Sequence, residues 1–377
     1  MGCGAANCAW APLPPPTPHG FGSTHCVTIR SWNSGSRCDN GAVDTLHLAK
    51  HQGLGNDFLV ALLSDREQAD LERRVGDLAG LARETCDRRK GIGADGLILA
   101  TGMNPTQPSL APDADESASA TPARRVGMKL YNSDGSSAEV SGNGLACLAN
   151  EVARTFVAGM EFGGRTEARG DILVLTVDTA DGARRVTLSA EFAAAENGSV
   201  EPIDPLAEVH MPHVAHGPDI SAALDGQIRR ALGSVQRETG DVGNPHLVIN
   251  AGRPVNAHDT ADLGAAFEAH FPRGINVEFI WRIERENSDS ADSSSIGMSV
   301  WERGAGLTQA CGTGAVTAAV RAQSWGLVSP GAETLVEMPG GKATVSTDEV
   351  DGHPILSVWV EHLGNHVWPL DAPSLDA

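Results

Sequence analysis

Residues 139–149 read EVSGNGLACLA, and residues 309–319 read QACGTGAVTAA. Each places Ser or Cys ahead of Gly-x-Gly and a run of small apolar residues, with Ser141 in the first copy where the second has Cys311. Upstream, 126–131 (VGMKLY) and 296–301 (IGMSVW) are short, β-rich and nearly alternating, which predicts strands. The register between the copies is constant. Gly127 matches Gly297, Met128 matches Met298, Gly142 matches Gly312, Gly144 matches Gly314 and Ala149 matches Ala319, each 170 positions apart. A looser echo links Gly55-Asn56 with Gly243-Asn244.

A period this long does not suit a solenoid and predicts two similar domains. The helices that should follow, LACLANEVART and AVTAAVRAQSWG, carry no charge in their first several residues. Helices apolar nearly all round are buried, so each is expected inside its own curled sheet. The fold class is therefore α+β, with two pseudo-symmetric domains, each a curled β-sheet around a central helix. The expected division is 45–181 plus about 365–377 for the N-terminal domain and 182–364 for the C-terminal one. Residues 1–44, rich in Gly, Pro, Ser and Cys, read as a disordered leader or a mis-assigned start. The stretches 101–125 and 284–295, dense in Pro, Ser, Asp and Ala, read as flexible loops.

The chain has 377 residues, 41% of them hydrophobic, so it can bury a sizeable core. Its formal net charge of −20 argues against nucleic acid or an anionic membrane as partner, because both would repel it. No apolar run approaches the roughly 18 residues needed to span a bilayer, and no secretory signal is visible, which makes a soluble cytoplasmic protein the expectation. The seven cysteines are scattered and lack a CxxC pair, so they read as free thiols rather than a disulfide or zinc framework. His210, His213 and His216 are spaced like ligands, but Pro212 disfavours a ligand-bearing helix, and no metal is expected.

Glycines at a helix N-terminus allow close backbone approach, and the unpaired N–H groups favour an anion such as a carboxylate. A cysteine there is expected to gain thiolate character from the helix dipole. If the two domains pack about a pseudo-two-fold axis, positions 141 and 311 face one cleft from opposite sides. One acid–base group on each face of a carbon is what racemisation or epimerisation requires. Taken alone, Ser141 is a good helix N-cap, whereas Cys311 is a poor one and points more directly to chemistry. Cys147 lies about 240° around the helix from position 141 and reads as core.

GLGNDF, YNSDGS with SGNG, GNPH, NVEF and WERGAGLTQACGTGA occur in the order and spacing that resemble the diaminopimelate epimerase family, over about residues 46–370. The resemblance implies cofactor-free inversion of LL- to meso-diaminopimelate, a lysine and peptidoglycan precursor, by a protein that is usually a homodimer. Carried over by position, it implies that Cys311 is one catalytic thiol and that Ser141 stands in the place of the other. Asn56, Asn132, Asn244, Asn276 and Arg303 would hold the substrate. The backbone of Gly142-Asn143 and Gly312-Thr313 would bind the reacting carboxylate, and His246 with Glu302 would tune the thiols' protonation. The chain departs from the family pattern at Ser141, at Gly96, at Leu307 and in its ending HLGNHVWPL.

Overall fold

The computed structural model describes residues 45–103, 123–138, 140–158, 170–194, 200–284 and 294–370. The expected leader (1–44) and most of the two expected loops lie outside these residues. Strands of the first part are β1 (Thr45–Gly53), β2 (Asn56–Leu62), β3 (Gly96–Thr101), β4 (Ala123–Asn132), β5 (Ser137–Ala138), β6 (Gly170–Thr179), β7 (Gly182–Ala194) and β8 (Val200–His210). Those of the second are β9 (Arg237–Asp241), β10 (Pro245–Asn250), β11 (Asn276–Arg282), β12 (Ser295–Glu302), β13 (Gly306–Thr308), β14 (Thr334–Met338), β15 (Gly341–Thr347) and β16 (Pro354–Pro369). Among the described residues six helices accompany them: α1 (Asp65–Val75), α2 (Leu78–Cys86), α3 (Gly142–Ala158), α4 (Ala222–Leu232), α5 (Ala257–Glu268) and α6 (Gly312–Ser324).

The long β16 organises both units. Its first half pairs with β8 and β15, and its second half pairs with β1. That last pairing closes β1-β2-β3-β4-β6-β7-β8-β16 into a ring around α3. The remaining strands, in the order β16-β15-β14-β12-β11-β10-β9, curl around α6. A bridge from Ala215, just beyond β8, to Asp241 of β9 draws the edges of this second sheet together.

Strand alternation explains the burial. On β2 and β3, Leu59, Ala61, Leu97 and Leu99 face outward under α1 and α2, while Phe58, Val60, Ile98 and Ala100 face inward toward α3. The second unit repeats this, with Leu247, Ile249, Val277 and Phe279 under α4 and α5. The inner core is continuous between units, since one apolar cluster contains Leu145 and Leu148 of α3, Val316 and Ala319 of α6, and Leu356 and Val358 of β16.

Two expectations are corrected. The division at 181/182 falls in the two-residue turn of the β6–β7 hairpin, whose ladder runs from Thr179–Gly182 back to Gly170–Ala190. Gly182–His210 therefore stays hydrogen-bonded into the first ring, and the first unit runs through His210 and the second half of β16. Nor is α3 apolar throughout. Asn150 and Glu151 are buried in it, and Glu151 is held by His51 of β1 at 2.9 Å and by Arg154 at 3.8 Å. Buried carboxylates persist when paired in this way. Cys147 is fully buried beside them, and burial pushes its thiol far up.

Candidate active site

The duplicated Gly-x-Gly segments start α3 and α6, and these two starts abut. A methyl group placed on Gly142 would lie 3.7 Å from Gly312 Cα and 2.6 Å from Leu356 Cδ2, so a larger residue there would have to displace the buried Leu356 side chain. Both heading side chains cap their helices. Ser141 Oγ accepts from the Gly144 N–H at 3.1 Å, and Cys311 Sγ accepts from the Gly314 N–H at 3.4 Å. Asn143 is buried at the junction, its amide oxygen near Gly312 and without a hydrogen-bond partner among the described residues.

Around Cys311 the second unit assembles a titratable cluster. Thr313 Oγ1 lies 3.3 Å from the sulfur and also receives Asn244 Nδ2 at 3.3 Å. His246 is fully buried, with Nε2 3.0 Å from Asn244 Oδ1 and Nδ1 2.6 Å from Glu278 Oε1. Glu302, the last residue of β12, accepts from Thr308 Oγ1, and its charge acts on the Cys311 thiol. From the first unit, Asn56 reaches across to donate to the Ala310 carbonyl at 3.2 Å, and the turn before it is set by Gly55 at φ 81°. Its echo Asn244 follows Gly243 at φ 105°, the same left-handed device. Asn276 accepts from the Arg303 backbone N–H at 2.9 Å and donates to the Pro245 carbonyl. Asn132 keeps closer to home, donating to Ser136 across its own turn.

The electrostatics overturn the thiolate expectation. Burial pushes the Cys311 thiol well above its ordinary value, and the negative charges of Glu302 and Glu278 add to that. The Thr313 hydroxyl and the Gly314 N–H pull it down but are outweighed. The dipole acts over a single turn, whereas desolvation and two nearby carboxylates act together in a low-dielectric interior. Glu302 is itself held above the usual carboxylate range, by burial first and by Glu278 second, which makes it a better proton acceptor.

Glu278 was not singled out from the sequence. The signal was present in NVEFIW, where one acid interrupts an otherwise apolar central strand. Two groups of potential metal ligands occur among the described residues, His246–Glu278–Cys311 and His51–Glu151–His362. In each, imidazole and carboxylate bond directly, at 2.6 and 2.9 Å. Two ligands of a tetrahedral ion, each ~2.0 Å from it, stand roughly 3.3 Å apart, so both groups read as hydrogen-bonded imidazole–carboxylate pairs.

The family model for diaminopimelate epimerase matches residues 48–200 and 239–361. The diaminopimelate epimerase of Moorella thermoacetica is 33% identical over 330 residues, spanning 86% of this chain and all of that protein. The diaminopimelate epimerase of Thermosynechococcus vestitus is also 33% identical, over 84% of this chain and 98% of its own length. Among solved structures, a hydroxyproline epimerase from Agrobacterium vitis superposes with TM-score 0.53 at 15% identity, covering 88% of this chain and 94% of its own. A probable proline racemase from Agrobacterium radiobacter gives 0.54 at 17%, with the same coverage. At these identities the structural likeness carries the fold, which is the α+β fold of two helix-filled sheets expected above.

Proposed function

The chain belongs to the diaminopimelate epimerase family, and from that premise we propose that it converts LL- to meso-diaminopimelate in lysine and peptidoglycan-precursor biosynthesis. The observation that carries this reading is the abutting pair of Gly-x-Gly helix starts, one headed by a buried thiol with the Glu278 carboxylate and the His246 ring within 4.8 Å. Cys311 passes its proton to Glu302, and the resulting thiolate removes the Cα proton from one face. Ser141 then delivers its hydroxyl proton to the opposite face; water reprotonates it, and the hydroxide so formed takes up the proton left on Glu302. N–H groups at Gly142-Asn143 and Gly312-Thr313 receive the reacting carboxylate, where they spread charge as the carbanion forms. Asn56, Asn132, Asn244, Asn276 and Arg303 hold the far end of the substrate, since amides and a guanidinium bind without competing for the proton.

We propose that the protein is cytoplasmic, in keeping with a biosynthetic role. No helix among the described residues is long and apolar enough to cross a membrane. A homodimer is supported by the apolar side chains that β16 leaves exposed, Trp359, Leu363 and Val367. Static light scattering tests the assembly. The reaction is tested with purified protein and LL-diaminopimelate in heavy water, where Cα deuterium should appear together with the meso isomer. Binding without exchange would instead favour a non-catalytic diaminopimelate-binding homologue. Turnover of a different amino or dicarboxylic acid would favour a related racemase.

A further inference from the structure

Glu278 lies on β11, between β10 and β12, with its side chain turned inward toward the start of α6 and fully buried. A carboxylate in such a place is uncommon unless it is paired. One oxygen bonds His246 Nδ1, but Oε2 is buried with no hydrogen-bond partner among the described residues. Leaving a buried acceptor partly unmet is costly, so the position needs a reason beyond packing. The helix makes room for it as well. A methyl group on Gly314 would stand 2.7 Å from Glu278 Oε1, so the second glycine of the motif is what admits the carboxylate.

From Glu278 a continuous circuit leads to the thiol. It runs through His246 Nδ1, then from Nε2 to Asn244 Oδ1, from Asn244 Nδ2 to Thr313 Oγ1, and from that hydroxyl to Cys311 Sγ. The ring closes in space, because the ligand atoms of His246, Glu278 and Cys311 all lie within 4.8 Å of one another. His246 is thereby held between Asn244 on its Nε2 side and Glu278 on its Nδ1 side, and these two contacts fix the plane of its ring.

We infer that Glu278 is a positioning residue for the Cys311 half of the reaction: it fixes His246 and, through Asn244 and Thr313, the direction in which the thiol meets the substrate. This rests on the epimerase reading for its kinetic consequence but not for its effect on the thiol. The groups facing Cys311 are Glu302 from β12, Glu278 from β11 and His246 from β10. Removing the Glu278 charge therefore has two opposed effects. It relieves one of the two carboxylates that hold the thiol up, and it weakens the hold on His246, because an amide oxygen is a poorer acceptor than a carboxylate.

The test is Glu278→Gln, close in shape and uncharged, with Glu278→Asp as the conservative variant. Two readouts are compared: steady-state kinetics in both directions, and the pH dependence of iodoacetamide alkylation at Cys311, followed on its peptide by mass spectrometry. The expected signature is a split. Alkylation of Cys311 moves to lower pH by on the order of one unit, while kcat falls at least about tenfold with KM changed less than about threefold. Glu278→Asp should recover part of kcat.

A purely structural carboxylate predicts otherwise: an unmoved alkylation profile, or a kcat loss that only tracks lost stability by thermal melting. Either result overturns the proposal, as does unchanged kcat. If Glu278→Gln does not fold, Thr313→Val cuts the same circuit beside the thiol, and unchanged kcat in that variant overturns it equally. Should the wild-type protein fail to invert diaminopimelate, the epimerase reading fails while the alkylation arm still decides whether Glu278 governs Cys311.

Discussion

The two helix starts occupy equivalent places in the two units and carry opposite chemistry. Strand register defines the equivalence. Phe58 pairs with Gly96 as His246 pairs with Asn276, and Ile98 pairs with Leu130 as Glu278 pairs with Val300. The hairpins that follow match too, Tyr131–Ser137 against Trp301–Leu307, which sets Asn132 opposite Glu302. So where the second unit has Cys311, Glu302, His246 and Glu278, the first has Ser141, Asn132, Phe58 and Ile98. Every titrating group has a non-titrating counterpart. A methyl on Gly144 would meet Ile98 at 3.3 Å, where one on Gly314 meets the Glu278 carboxylate. A duplicated fold supplies two faces, but the proton machinery has been built on one.

The most severe way to break this comparison is Cys311→Ala. It should lower Cα deuterium exchange by at least about 10²- to 10⁴-fold, measured by NMR of diaminopimelate in heavy water. Ser141→Ala should act unequally, reducing inversion while leaving exchange on the Cys311 face largely intact. Comparable loss of both would mean that the two sides are not separable. Restoring symmetry with Ser141→Cys should raise the inversion rate about tenfold or more, because a thiol is a far better acid and base than a hydroxyl. No gain in a coupled assay would locate the limit elsewhere, with Ile98 and Phe58 as the next positions to alter.

The pH dependence follows from the direction of the thiol's shift. A thiol raised by burial and by Glu302 and Glu278 is protonated at pH values where a free cysteine has begun to ionise. Alkylation of Cys311 should therefore lag behind a model thiol at pH 8–9 and overtake it at no lower pH. Early alkylation would show that the helix start outweighs the carboxylates. For stability the same sign applies. The folded state holds its proton longer than the unfolded one, so each such thiol removes stability as pH climbs past the unfolded value. Cys86, pushed up to about 11 by burial, adds to this, and the melting temperature should fall between about pH 9 and 11.

The smallest expected effect concerns capping. Ser141→Ala loses the bond to Gly144 and should cost about 1 kcal/mol by denaturant unfolding. That loss together with unaltered inversion would reduce Ser141 to a cap.

Much of the architecture was legible because duplication leaves a register. The constant spacing from Gly127 to Ala149 and its copy matches strand to strand and helix start to helix start. The boundary near residue 181 was misplaced because alternation along VTLSAEF reveals a strand but not the sheet it joins. Glu151 and Glu278 were passed over for a shared reason. A single acid in an apolar run reads as a solvent-facing residue until a partner such as His51 or His246, distant in sequence, is found beside it.

By itself, then, the sequence determined that there are two related halves, each with a glycine-framed helix start, and that one start bears a thiol and the other a hydroxyl. These are properties of local spacing and residue type. Only the tertiary structure decided the state of that thiol and the company it keeps. The ionisation of Cys311 depends on desolvation and on charges contributed by β10, β11 and β12, and those distances exist only once the sheet has curled around its helix.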